Sequence, residues 1–100
     1  MLDQFESWIQ EKRQEIENWG YQLDIVKPPS GVAQQSLSLD LDSDNYIARI
    51  TLWESGDSQL QILDIVSEKM VFDEYLKIQA NFNFSKAFEN FFNILNLNIC

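Results

Sequence analysis

Ser36-Leu37-Ser38-Leu39-Asp40-Leu41-Asp42 is the stretch whose reading decides the fold. Leucine alternates with serine and aspartate at period two, so Leu37, Leu39 and Leu41 turn to a core while the residues between them face water. The pattern stops at Ser43-Asp44-Asn45, which is turn chemistry. A second strand follows over Tyr46–Trp53, with Tyr46, Ala48, Ile50 and Leu52 on one face and Ile47, Arg49, Thr51 and Trp53 on the other. Glu54–Ser58 reads as a hairpin loop and Gln59–Val66 as a returning strand. Ser67-Glu68-Lys69 turns into Met70–Ile78, which sets Met70, Phe72, Leu76 and Ile78 against Val71, Asp73, Tyr75 and Lys77. Loops this short between successive strands imply an antiparallel meander.

The flanks extend the pattern. Tyr21–Val26 is a further short strand, and Lys27-Pro28-Pro29-Ser30-Gly31 excludes regular structure after it. Residues 3–18 read as a helix opened by an Asp3/Glu6 capping box. Leu2, Phe5, Ile9 and Ile16 share its apolar face, Trp8 and Trp19 flank that face, and Gly20 supplies the left-handed stop. A closing helix is expected over residues 84–96. Phe84, Phe88, Phe91, Phe92 and Leu95 form one amphipathic stripe there, with Asn83 or Asn81 as the cap and a fraying tail from Asn96 to Cys100. The expected architecture is α+β, a single domain over residues 1–100. An antiparallel sheet of about five strands is flanked by N-terminal and C-terminal helices in a two-layer sandwich.

Composition narrows the function. The chain has 16 acidic and 7 basic residues, a net charge of -9, no histidine, and a single cysteine at position 100. Histidine is the side chain that titrates near neutral pH unaided and the commonest general base, so its absence argues against catalysis. Serines lack a histidine partner, Cys100 sits at the end of the chain, and no phosphate-binding glycine loop or zinc spacing occurs. One cysteine excludes an intramolecular disulfide. The N-terminus lacks a signal-peptide pattern, and no apolar run is long enough to span a membrane. The expectation is a cytoplasmic binding protein without cofactor or metal. Its pI of about 4.2 disfavours nucleic acid and anionic lipid and favours a basic partner.

Asp40, Asp42 and Asp44 occupy positions one, three and five of an EF-hand-like run, with Ile47 at the eighth. Position twelve is Thr51 rather than a bidentate glutamate, and alternating leucines replace the entering helix, so no calcium site is expected. Asp40 and Asp42 should instead project together from one strand face, where like charges repel. That face is either solvated surface or a preformed site for lysine and arginine. Arg49 and Trp53 share a face with Ile47. A covered face would bury Arg49 against Glu54 or Asp73; an open one would make an interface patch, since tryptophan and arginine are enriched at binding hot spots. The open face is favoured, because Tyr46, Ala48, Ile50 and Leu52 are the more uniformly buriable set.

Phe5-x-x-Trp8, the block Ala48-Arg49-Ile50-Thr51-Leu52-Trp53-Glu54-Ser55-Gly56, Leu60-Gln61-Ile62-Leu63-Asp64-Ile65 and Phe72-Asp73-Glu74-Tyr75 lead into the Phe-rich closing helix. Together, over roughly residues 5–95, they resemble the small bacterial immunity proteins of the TriTu type, found beside polymorphic and contact-dependent inhibition toxins. The resemblance implies a cytoplasmic protein that binds one toxin C-terminal domain and blocks it. Many such toxins are nucleases with basic clefts, which an acidic inhibitor would engage. The expected toxin-binding residues are Asp40, Asp42, Asp44, Trp53, Glu54 and Asp57, with Trp53 as the apolar anchor and the protein monomeric before it meets the toxin. An acidic secretion chaperone for a bacterial effector is the alternative, and a general adaptor remains open.

Overall fold

The computed structural model describes residues 1–28, 31, 35–79 and 83–97. Helix α1 (Leu2–Asn18) precedes strands β1 (Gln22–Val26), β2 (Ser36–Asp42), β3 (Tyr46–Trp53), β4 (Asp57–Asp64) and β5 (Lys69–Lys77). Two short helices follow, α2 (Phe84–Ala87) and α3 (Glu89–Ile94). The strands pair in the order β1-β2-β3-β4-β5, each antiparallel to its neighbour. This is the expected α+β meander with its helices on one face.

The period-two pattern sets the register. Leu37, Leu39 and Leu41 stand opposite Leu52, Ile50 and Ala48, and Ile50 and Ala48 in turn oppose Leu60 and Ile62. All are buried, and the helices close over them. Burying a side chain of this size contributes roughly 1.5–3 kcal/mol, so this shared face dominates the stability. Aromatic residues fill the layer between sheet and helices. The Phe5 ring lies 5.3 Å from Phe84 and 5.8 Å from Phe88, Trp8 is 5.7 Å from Phe92, and Phe72 of the sheet meets Phe91 edge-on at 6.2 Å. Tyr21 fixes the C-terminal turn by donating its hydroxyl to the Leu95 carbonyl at 2.9 Å.

Several boundaries differ from the sequence expectation, each for a local reason. α1 begins at Leu2 with Met1 as N-cap and no side-chain cap bond, so Asp3 lies inside the first turn and makes no capping box. Its charge there still suits the helix dipole. Trp19 has already left helical geometry as the C-cap and is 64% exposed, so it does not flank the buried face. β4 starts two residues early because Gly56, at φ 96°, closes the turn in the three residues Glu54–Gly56. It also ends early, because the Asp64 carboxylate accepts the amide hydrogens of Val66 and Ser67 at 3.0 and 3.3 Å and turns the chain.

A bulge between β4 and β5 overturns one facing. Ile62 pairs with Phe72 while Leu63 pairs with Met70, so Val71 is the unpaired extra residue. Met70 is thereby moved to the face opposite Phe72 and is 51% exposed. The closing helix is interrupted at Phe88 (φ -103°, ψ 16°), yet its aromatic stripe is buried as expected. Asn83 caps α2 by accepting the Lys86 amide hydrogen at 3.1 Å; Asn81 lies outside the described residues. The tail does not fray at Asn96. That residue adopts φ 60°, and Leu97 donates its amide to the Phe92 carbonyl at 2.9 Å and is buried. This six-to-one closure is a Schellman-type stop; residues 98–100 lie outside the described set.

Candidate functional site

With one face of the sheet under the helices, the other is open. Antiparallel pairing ranks its side chains in rows across the strands. One row runs Gln22–Asp42–Ile47–Leu63–Met70, the next Asp24–Asp40–Arg49–Gln61–Asp73, and the third Val26–Ser38–Thr51–Gln59–Tyr75. Ser36 opposite Trp53, and Asp57 opposite Lys77, complete the far end. Ile47, Arg49 and Trp53 therefore do sit on the open face.

The centre of the face is held by a fork. Arg49 donates Nε to one Asp40 oxygen at 2.6 Å and an Nη to the other at 2.8 Å. The Asp40 carboxylate raises the arginine pKa, first through this hydrogen bond and then through its charge. The pairing relieves the Asp40–Asp42 repulsion expected from the alternating strand, and it occupies Asp40. At the far end Asp57 accepts from the Tyr75 hydroxyl, from Ser55 Oγ at 2.7 Å and from Lys77 Nζ at 3.4 Å. The Tyr75 bond, then Ser55, then Lys77 hold the carboxyl below its ordinary pKa, and the same bond raises that of Tyr75. Gln59 donates to Asp73 beside them.

The six residues expected from sequence are thus not one cluster. Asp42 ends β2 and Asp44 lies in the β2–β3 turn, both exposed. Trp53, half-buried, and Asp57 lie at the opposite end of the strands, and exposed Glu54 in the β3–β4 turn. The six residue steps from Ile47 to Trp53 along β3 span about 20 Å at strand rise. Asp40 stands between the two ends.

Residues missed from sequence are Leu63, Met70, Gln59, Gln61, Asp73 and Tyr75. Their period-two placement on β4 and β5 was a usable signal for all except Met70, whose facing depends on the bulge. A wider, open cleft of about 620 Å³ runs along α1 and α2 in the helical layer, past Asp3, Ser7, Trp8 and Ser85. Its most polarisable wall is already engaged, since Trp8 Nε1 donates to Ser85 Oγ at 3.1 Å.

Among the described residues no group of three or more His, Cys, Asp or Glu could hold a metal ion, and no helix is long and apolar enough to cross a membrane. What the sheet offers is a broad, mixed acidic and apolar surface, suited to docking another macromolecule. The family model for Immunity protein TriTu matches residues 3–94. The chain belongs to the TriTu immunity protein family. The matched span takes in α1, the whole sheet and the closing helices, so membership covers the fold and the open face together. Membership in TriTu assigns the chain in general terms to toxin neutralisation, a role that is generally non-catalytic. No curated protein matches the chain.

Proposed function

We propose that this chain neutralises the toxin domain encoded beside it by docking the open sheet face onto a basic surface of that toxin. The observation that carries the reading is the charge of that face. Asp24, Asp40, Asp42, Asp57 and Asp73 stand there against Arg49 and Lys77, on a chain of net charge -9. A toxin that cleaves nucleic acid needs a positive cleft to hold phosphates, so a nuclease is the toxin class that best fits such a face. Opposite charge speeds diffusional capture, which a protective inhibitor requires. The toxin is met in the cytoplasm by a monomer. Among the expected contact residues, Asp42, Asp44 and Glu54 are exposed and have no ion-pair partner among the described residues, whereas Asp40 and Asp57 first serve the face's own geometry. Trp53 would anchor the far end.

Expressing the neighbouring toxin domain in cells with and without the chain tests this reading. Restored growth, together with a one-to-one complex that weakens as salt rises, is the expected result. Continued growth arrest with both proteins soluble would refute it. The chaperone alternative calls for a continuous apolar groove along a dimer, while this face is interrupted by a carboxylate or a glutamine in every row.

A further inference from the structure

Between the first two rows the open face sinks into a depression of about 280 Å³. Ile47, Leu63 and Met70 form its apolar side, and Asp42, Asp40, Arg49 and Gln61 its polar rim. Ile47 and Met70 are 47% and 51% exposed, so the wall presents apolar area that a partner's side chain would remove from water. The rim charges are not equivalent. Asp40 has both oxygens on Arg49, so that pair is internally neutralised. Asp42, cross-strand neighbour of Ile47, is exposed, and its carboxylate has no ion-pair or hydrogen-bond partner among the described residues. The mouth therefore carries one uncompensated carboxylate beside an apolar wall.

We propose that this depression receives a single lysine or arginine side chain of the toxin, its methylene stem against Ile47, Leu63 and Met70 and its cationic head on Asp42. The proposal rests on the reading that the open face docks a basic toxin, and it names the contact that fixes the complex. Long basic side chains are apolar along the stem and charged at the tip, which matches wall and rim at once. A purely apolar side chain would fill the wall but strip water from Asp42 without replacing it. A second copy of this chain would bring another net charge of -9 towards the same carboxylate. Arg49 does not compete for Asp42, because Asp40 holds it.

This assignment separates Asp42 from the remaining carboxylates by kinetics. Distant charges steer encounter and act on the association rate, whereas a desolvated pair sets the dissociation rate. The probe is the toxin domain encoded beside the chain, with both rates measured for wild type, Asp42→Asn, Met70→Ala and the remote helix variant Glu17→Gln. Asp42→Asn and Met70→Ala should each raise the dissociation rate about tenfold, equivalent to about 1.4 kcal/mol, and Glu17→Gln should leave it unchanged. One lysine or arginine in the toxin, replaced by methionine, should make Asp42→Asn silent in a double-mutant cycle. All three positions on the chain are exposed, and melting temperatures matching wild type would show that the variants fold. Dissociation within twofold of wild type for both Asp42→Asn and Met70→Ala would overturn the pocket while leaving toxin binding intact. Absence of binding by wild type would instead overturn the functional reading, and the pocket with it.

Discussion

Replacing Gly56 by alanine should destabilise the protein more than any other single added methyl at its glycines. Gly56 adopts φ 96°, and a Cβ built on it would stand 2.8 Å from the Ile78 carbonyl oxygen, a backbone atom with no freedom to swing away. The left-handed region costs a non-glycine residue about 1–2 kcal/mol. Relieving the overlap would push apart two segments joined by the Ile78 amide and the Gly56 carbonyl at 2.8 Å. Losing that bond adds about 0.5–1.5 kcal/mol. The sum, about 1.5–3.5 kcal/mol, corresponds to roughly 7–17 °C in melting temperature for a domain of this length. Gly20→Ala is the internal control: its φ is 91°, but nothing lies within 4 Å of the added methyl. It should lose only the backbone part, about 1–2 kcal/mol. Urea unfolding followed by tryptophan fluorescence, with linear extrapolation, measures both. A Gly56→Ala protein no less stable than Gly20→Ala would refute the claim that the turn is closed by contact with Ile78.

Other perturbations probe the layer and the open face. Phe88→Ala empties the centre of the aromatic cluster at a fully buried position and should cost about 3–5 kcal/mol by denaturant unfolding; a cost below 1 kcal/mol would deny the ring its place. Tyr21→Phe leaves the Leu95 carbonyl without its donor and should cost about 1–3 kcal/mol. Burial raises the Tyr21 pKa above 10.0, so its contribution is present below the unfolded value and is lost as pH rises through the folded one, which an alkaline unfolding series would reveal. Tyr75→Phe removes the first cause of the low Asp57 pKa, and carboxyl NMR should show Asp57 titrating at higher pH. In wild type the folded Asp57 value lies below the unfolded one, so its contribution is present above the unfolded pKa and disappears as pH falls through the folded pKa. An unmoved Asp57 titration would show that the phenol is not its partner.

The sheet was legible in the sequence because its signal is local and repeated. Alternation in Ser36–Asp42 and Tyr46–Trp53 fixes facing residue by residue, and both strands have the expected ends. The stripe from Phe84 to Leu95 was equally plain, since burial follows the apolar face even where Phe88 interrupts the helix. Facing failed at Met70, where one unpaired residue inverts the side-chain phase and leaves no mark in composition. For the candidate site, residue type marked Asp40, Asp42, Asp44, Trp53, Glu54 and Asp57, but not their company. The Asp40–Arg49 fork depends on strand register, and the Tyr75–Asp57 bond links residues 18 apart in sequence. A list of acidic residues cannot distinguish a carboxylate already occupied by the fold from one left free, as Asp42 is.

Cross-saturation NMR of the methyl-labelled chain bound to the proposed cognate toxin domain tests the central claim most directly. Irradiating the toxin should attenuate the methyl signals of Ile47, Leu63, Met70 and Val26 on the open face and spare Leu2, Ala87 and Ile94 on the helical layer. Attenuation confined to the helical layer would contradict the account and move the interface to the opposite side of the molecule.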